Sequence, residues 1–136
     1  MAELKDYRGP FDPNLRFEDF SKETLVKLLK EYARLYIILH GSWHTLMREK
    51  YGDRVNIDLD CYQWMVSAPA NAHFLSRALS IQPENVESYF KALQVDPAFP
   101  LALFDIEYEL VTPDHGFMTC KRCTALDAYE AEGRGH

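Results

Sequence analysis

Two cysteines in the last quarter of the sequence are the residues best suited to covalent or metal chemistry. Cys120 and Cys123 form a Cys-x-x-Cys motif at the end of a predicted strand, directly before a predicted helix. Free N–H groups at a helix N-terminus favour a thiolate, and so do the neighbouring cations Lys121 and Arg122. Cys123 is therefore a candidate nucleophile, and with Cys120 a candidate redox pair or half of a metal site. Zinc needs four ligands and no second Cys-x-x-Cys motif exists, so two ordinary thiols are the alternative.

A histidine in a predicted turn is a candidate base for this thiol. His115 lies between Asp114 and Gly116, and a nucleophilic thiol requires a nearby imidazole. His115 takes this role only if the turn folds toward Cys123. The alternative is a solvated turn residue.

Two further histidines, His40 and His44, lie four residues apart on a predicted helix. This spacing suits a shared metal ion, but the glutamate of the His-Glu-x-x-His pattern and a third ligand are missing. The better functional interpretation is a polar group or base at the edge of a ligand pocket. The predicted pocket lies between helices and hairpin and consists of Tyr36, His40, Trp43, His44 and Tyr62. The same aromatic spacing also predicts simple core packing.

A long amphipathic helix over about residues 21–51 must position both histidines. Ser21 is a favourable N-cap and Gly52 a favourable C-cap. Between them apolar residues recur at steps of three and four, which is typical of one buried helix face. This stripe contains Leu25, Leu28, Leu29, Tyr32, Leu35, Tyr36, Leu39, Trp43, Leu46 and Met47.

The next segment predicts two helices or one kinked helix after a short loop. Apolar residues continue over 57–67 and 70–81, with Pro69 between them. Proline removes a helical hydrogen bond and clashes with the preceding turn. Asp58 or Asp60 would cap the start of this segment.

The last third of the chain changes from helical to strand periodicity. Pro83 suits the first turn of a further helix. Residues 104–110 then alternate apolar and acidic side chains, which predicts a strand with one solvated face, and residues 117–122 can return beside it. Thr124 and Asp127 resemble a capping box that opens a short final helix.

Composition limits the class of protein. The 136 residues carry a formal net charge of −6, which argues against a nucleic-acid binder. The longest apolar run, residues 35–39, is far too short to span a membrane, and the start lacks the pattern of a secretory signal. Three cysteines outside any disulfide pattern favour reduced thiols and a cytoplasmic location.

Several stretches together resemble a known family. They are residues 4–13, 17–22, 41–52, 91–94 and 123–135. The pattern resembles an uncharacterised family of cytosolic prokaryotic proteins, itself distantly similar to L-2-amino-thiazoline-4-carboxylate hydrolases and to vinyl-4-reductase-like ligand domains. The family has a cysteine at the position of Cys123. Its members continue beyond the position of Gly135 with more strands and cysteines, so the resemblance implies that this chain either lacks those strands or finds them in a partner.

These observations together predict an α+β fold. Residues 1–20 form an extended arm whose phenylalanines pack onto the body, and residues 21–136 form one mainly helical domain with a hairpin at about 101–123. Because a lone hairpin is marginal and has open edges, we expect a dimer or larger homo-oligomer. The leading hypothesis is a cytosolic small-molecule-binding protein of hydrolase-like ancestry. If it is catalytic, it would cleave a C–N bond in a small substrate with Cys123 as the nucleophile. The alternative is a metal-binding or assembly subunit completed by a partner chain. The motifs identify no cofactor.

Overall fold

The computed structural model describes residues 3–100, 103–131 and 133 and has the predicted α+β fold. A long helical hairpin comes first, and a short helix, a β-hairpin and a final helix follow. The helices are α1 (Lys22–Tyr51), α2 (Asp53–Ala78), α3 (Val86–Leu93) and α4 (Thr124–Ala131), and the strands are β1 (Phe104–Thr112) and β2 (His115–Cys123).

Helix α1 begins and ends where its sequence signals predict. The Ser21 hydroxyl accepts a hydrogen bond from the backbone N–H of Thr24 at 3.3 Å, which caps the first turn. Gly52 follows the last residue with φ of 82° and ψ of 167°, a conformation that is open almost only to glycine. This residue reverses the chain between α1 and α2.

Helix α2 begins earlier than predicted. It starts at Asp53, directly after Gly52, so the predicted loop is absent and neither Asp58 nor Asp60 is its cap. The physical reason is that one glycine makes the whole reversal and no helix-breaking residue follows it before Ile57. Pro69 lies inside a continuous helix, so of the two predicted forms the chain adopts the single helix.

Helix α3 is capped by Asn85 rather than opened by Pro83. The Asn85 side chain accepts from the N–H of Ser88 at 3.0 Å, and the Ser88 hydroxyl reaches back to the Asn85 backbone. The reciprocal pair satisfies two N–H groups of the first turn. Pro83 lies before this cap.

The β-hairpin packs one face on α3. Strands β1 and β2 pair antiparallel, with Tyr108 opposite Met118. The Phe90 and Tyr108 rings lie 5.2 Å apart, and a Cβ at Gly116 would come within 2.6 Å of the Phe90 ring. Glycine at this position therefore allows the close approach of helix and hairpin. The hairpin was predicted over 101–123, and β2 ends at Cys123 as predicted. Residues 101 and 102, at the predicted start, lie outside the described part of the chain.

The N-terminal arm is anchored at the start of α1. The Leu4 N–H donates to the Asp19 carbonyl at 2.8 Å, and the Ser21 N–H donates to the Leu4 carbonyl at 2.9 Å. The prediction that the arm's phenylalanines pack onto the body is wrong for Phe11, which is 83% exposed. The backbone anchor joins Leu4 to the start of α1, and it leaves the middle of the arm, where Phe11 lies, facing solvent.

Few apolar side chains are buried within one chain. Among the described residues the buried hydrophobic ones are Ala92, Leu93 and Ala98, at and just after α3. The alternative of simple core packing is therefore wrong for Trp43 and Tyr62, which are exposed, and the helical aromatics Tyr32, Phe74 and Tyr89 are exposed as well. Their helical spacing indicates an apolar face correctly, but the described part of the chain leaves these side chains largely exposed.

Candidate functional site

Two polar contacts set the register of the α1–α2 hairpin. His40 Nε2 lies 2.6 Å from Asp60 Oδ1, and His44 Nε2 lies 2.8 Å from Asn56 Nδ2. Each step of four residues forward on α1 matches a step of four back on α2, as antiparallel helices require. Asn56 is only 3% exposed, so its amide is buried in this contact. We call these four residues the polar ladder.

The His40–Asp60 pair has the geometry of an oriented imidazole. A carboxylate bonded to one ring nitrogen fixes the orientation of the ring. The Trp64 ring lies 5.0 Å from the His40 ring and closes one side of the pair. This arrangement suits a positioned acid or base. However, His40 does not line the small cavity that lies between α2 and α3.

The fold assembles only part of the predicted ligand pocket. The His40 and His44 rings lie 6.4 Å apart on the side of α1 that faces α2, and Tyr36 is half-buried. Trp43 and Tyr62 are largely exposed on outward faces of their helices. The five residues therefore do not converge within one chain.

Cys123 and His115 lie at opposite ends of the same strand. His115 is the first residue of β2 and Cys123 is the last. At about 3.3 Å per residue, their backbones are roughly 26 Å apart. His115 therefore cannot act as the base for Cys123 of the same chain, because the turn precedes a nine-residue strand instead of folding back over it.

Cys123 lies at the start of α4, as the sequence predicts. Its Sγ accepts the N–H of Leu126 at 3.5 Å, so the thiol occupies the N-cap position that was predicted for Thr124. The Cys120 thiol donates to the carbonyl of Arg122 at 3.2 Å. Among the described residues no three His, Cys, Asp or Glu side chains are placed to share a metal ion.

The two cations beside the thiols are bound to carboxylates. Lys121 is hydrogen-bonded to Glu107 on the opposite strand, and this bond raises the pKa of Lys121. Arg122 Nε lies 3.1 Å from Asp127 Oδ2. Each cation therefore has a carboxylate partner. The partner weakens the electrostatic stabilisation that Lys121 or Arg122 could give to a thiolate.

A small cavity lies between α2, α3 and the turn that follows α3. Its volume is about 50 Å³, and its lining includes Trp64, Asn71, Ala72, Tyr89, Asp96 and Phe99. Asp96 is 8% exposed, and its Oδ1 accepts from Asn71 Nδ2 at 3.1 Å and from the Ala98 N–H at 2.8 Å. Sequence reasoning missed Asp96 and Asn71, because they are 25 residues apart and follow no motif.

The hydroxyl of Tyr108 lies near this region without a partner. It is buried and makes no hydrogen bond in the described part of the chain. Burial raises the pKa of Tyr108, and electrostatic interactions with Tyr89 and Asp96 raise it further. The neutral phenol is therefore the favoured form in the folded chain.

Both long helices carry an exposed apolar stripe away from the polar ladder. The residues of each stripe recur at steps of three and four, so each stripe lies along one helix face. We call them the outer stripes: Leu29, Tyr32, Leu35, Leu39, Trp43 and Leu46 on α1, and Val55, Leu59, Tyr62 and Val66 on α2.

Comparisons with known proteins leave the site to be interpreted from its geometry. Within the described residues, no helix combines the length and the apolar character that crossing a membrane requires. No protein-family model matches the chain, and no curated protein or solved structure shows significant similarity to it.

Proposed function

We propose that the chain is a subunit of a homo-oligomer and that the outer stripes form its interface. The observation that carries this proposal is the exposed area. The chain exposes 10668 Å² at a mass of 15.8 kDa. A folded monomer of this mass exposes about 7,300 Å². The excess, about 3,300 Å², exceeds the roughly 800 Å² that each partner buries in a standard interface.

The chemistry of the excess area supports an obligate contact. An elongated hairpin raises the exposed area of any chain, but it does not explain why the added area is apolar. Leu39 is 71% exposed and Trp43 is 59% exposed, and both lie in the middle of α1. Contiguous apolar patches of this kind mark protein contacts in stable proteins.

A second copy is the partner that fits these stripes. Two antiparallel helices with uncovered apolar faces make half of a four-helix bundle. Pairing two identical hairpins about a two-fold axis covers the same stripe on both copies and closes the assembly. The open edges of the two-stranded sheet offer a second place where copies can pair.

Light scattering with size-exclusion chromatography tests this proposal. We expect the wild-type chain to elute as a dimer or larger species. Leu39→Glu places a charge in the stripe and should shift the population to monomer while the helical circular dichroism is kept. Phe11→Glu is the matched control, because Phe11 is also a highly exposed apolar residue but lies on the N-terminal arm.

Two outcomes would overturn the proposal. A wild-type chain that stays monomeric at high concentration would remove the need for an interface. A Leu39→Glu variant as oligomeric as Phe11→Glu would remove the outer stripe of α1 from that interface.

The hypothesis of a cysteine-dependent C–N hydrolase stays a prediction. Its support is the resemblance and the position of Cys123 at a helix start. Since His115 is roughly 26 Å away along the strand, a base for this thiol must come from another element or another copy. The metal-binding alternative predicts stoichiometric zinc or iron that is lost on replacing Cys120 and Cys123, which metal analysis of the purified protein measures.

A further inference from the structure

We propose that the cavity beside Asp96 binds a small organic cation through a primary ammonium group. This site differs from the pocket predicted around Tyr36, His40 and Tyr62, and it is independent of the outer stripes. Its defining groups are one buried carboxylate and three aromatic rings.

The carboxylate of Asp96 has a charge that the fold does not use. Both of its hydrogen bonds, from Asn71 and Ala98, are accepted by Oδ1. An asparagine would supply the same acceptor without a charge. Among the ion pairs of the described residues none includes Asp96. Its Oδ2 is not one of their fully buried atoms without a partner, so this oxygen stays accessible to a small ligand. A carboxylate on a largely buried side chain is stabilised by a cationic partner, and the described residues supply none, so a cationic ligand is the partner that this site favours.

The rest of the lining suits a cation of limited size. Trp64, Tyr89 and Phe99 contribute aromatic rings, whose faces attract ammonium groups. A single water occupies about 10–15 Å³ of such a cavity, so about 50 Å³ leaves room for a group such as methylammonium. An anion of the same size would face the Asp96 carboxylate and is disfavoured.

Two indole N–H resonances make the site measurable by NMR. The chain has two tryptophans, Trp64 in the cavity lining and Trp43 on the outer stripe of α1. Methylammonium chloride is titrated into the full-length ¹⁵N-labelled protein, with sodium chloride at equal concentration as the reference. We expect a saturable shift of the Trp64 resonance and no matching shift of the Trp43 resonance.

Asp96→Asn is the decisive variant, because it removes the charge and keeps an oxygen acceptor for Ala98. Loss of a charge-assisted contact predicts affinity lower by about tenfold to a hundredfold. Asp105→Asn, an exposed carboxylate on β1, is the matched control and should bind like wild type.

Two kinds of result would contradict this proposal. Equal binding by Asp96→Asn and Asp105→Asn would overturn the proposal. A Trp64 shift in the wild type that does not saturate, or that sodium chloride reproduces, would overturn it even if Asp96→Asn failed to fold. The oligomeric state plays no part in either readout.

Discussion

The buried hydroxyl of Tyr108 is a local cost in the folded chain. A buried polar group without a hydrogen bond loses its water without a replacement. No partner for this hydroxyl exists in the described residues, while its ring packs against Phe90 at 5.2 Å. The ring therefore stabilises the contact of α3 with the hairpin, and the oxygen opposes it.

Tyr108→Phe should raise the free energy of unfolding by about 1 kcal/mol, because it removes the unpaired oxygen and keeps the ring. Chemical denaturation measures the change. Tyr51→Phe is the control, since its hydroxyl belongs to an exposed side chain outside the outer stripes, and it should be neutral. A destabilised Tyr108→Phe protein would mean that the hydroxyl has a partner after all.

The same residue gives a prediction about alkaline pH. The folded-state pKa of Tyr108 is raised above its ordinary value of 10.0. The folded state then holds this proton more tightly than the unfolded state does. The resulting stability is fully present below about pH 10 and is lost as pH rises through the folded-state pKa. Tyr108→Phe should therefore lose less stability than Tyr51→Phe across this alkaline range, as thermal melts at a series of pH values would measure.

Individual site residues were predictable only where the signal is local. Cys123 could be placed at a helix start because a change from strand to helix periodicity is visible within a few residues. The contact of His40 with Asp60 could not be predicted, because it depends on the register of two helices. That register follows from Gly52 acting alone as the connection, and sequence reasoning expected a loop there.

Two glycines of the helical hairpin should respond to substitution in opposite directions. Gly52 has a positive φ that other residues adopt at a cost, so Gly52→Ala should destabilise the fold by about 1–3 kcal/mol. Gly41 lies inside α1, and a Cβ added there would meet nothing within 4 Å in the described chain, so Gly41→Ala should stabilise it by about 1 kcal/mol.

The pair of glycine variants is its own control, because each adds one methyl group. Denaturant unfolding of both variants beside the wild type gives the two changes. Stabilisation by Gly52→Ala would contradict the single-residue reversal between α1 and α2. Destabilisation by Gly41→Ala would show that another backbone packs on α1 at that position, as an interface between copies would provide.

At the level of elements, most of the fold followed from periodicity. Helix α1 and the alternation in β1 are long patterns with clear end signals, such as Ser21 and Gly52. The start of α2 and the N-cap of α3 were not predicted, because other nearby residues also favour a helix start. Asp58 suits an N-cap and Pro83 suits a first turn, but neither residue has that role in the structure. The least accurate prediction was which apolar side chains are buried. Periodicity shows which face of a helix is apolar, but not whether the same chain or another copy covers that face.

The exposed apolar surface of the whole molecule is consistent with the proposed assembly. In the described residues only three hydrophobic side chains are buried, while many large ones are exposed, so the core of one chain is small for the conformational entropy that folding must offset. The apolar residues needed for stability are present in the sequence but lie on the outer stripes. Folding and association are therefore expected to be one process.

If association supplies this stability, the melting temperature must depend on protein concentration. Unfolding of a dimer into two chains becomes less favourable by about 1.4 kcal/mol for each tenfold rise in concentration, because mass action favours the assembled state. With the usual unfolding entropy per residue, the midpoint should rise by about 2–3 °C per tenfold increase. Calorimetry at several concentrations measures this, and Leu39→Glu should melt at a lower, concentration-independent temperature. If the wild-type midpoint does not change with concentration, one chain is stable alone with its outer stripes exposed to water. The large exposed area would then not indicate an interface.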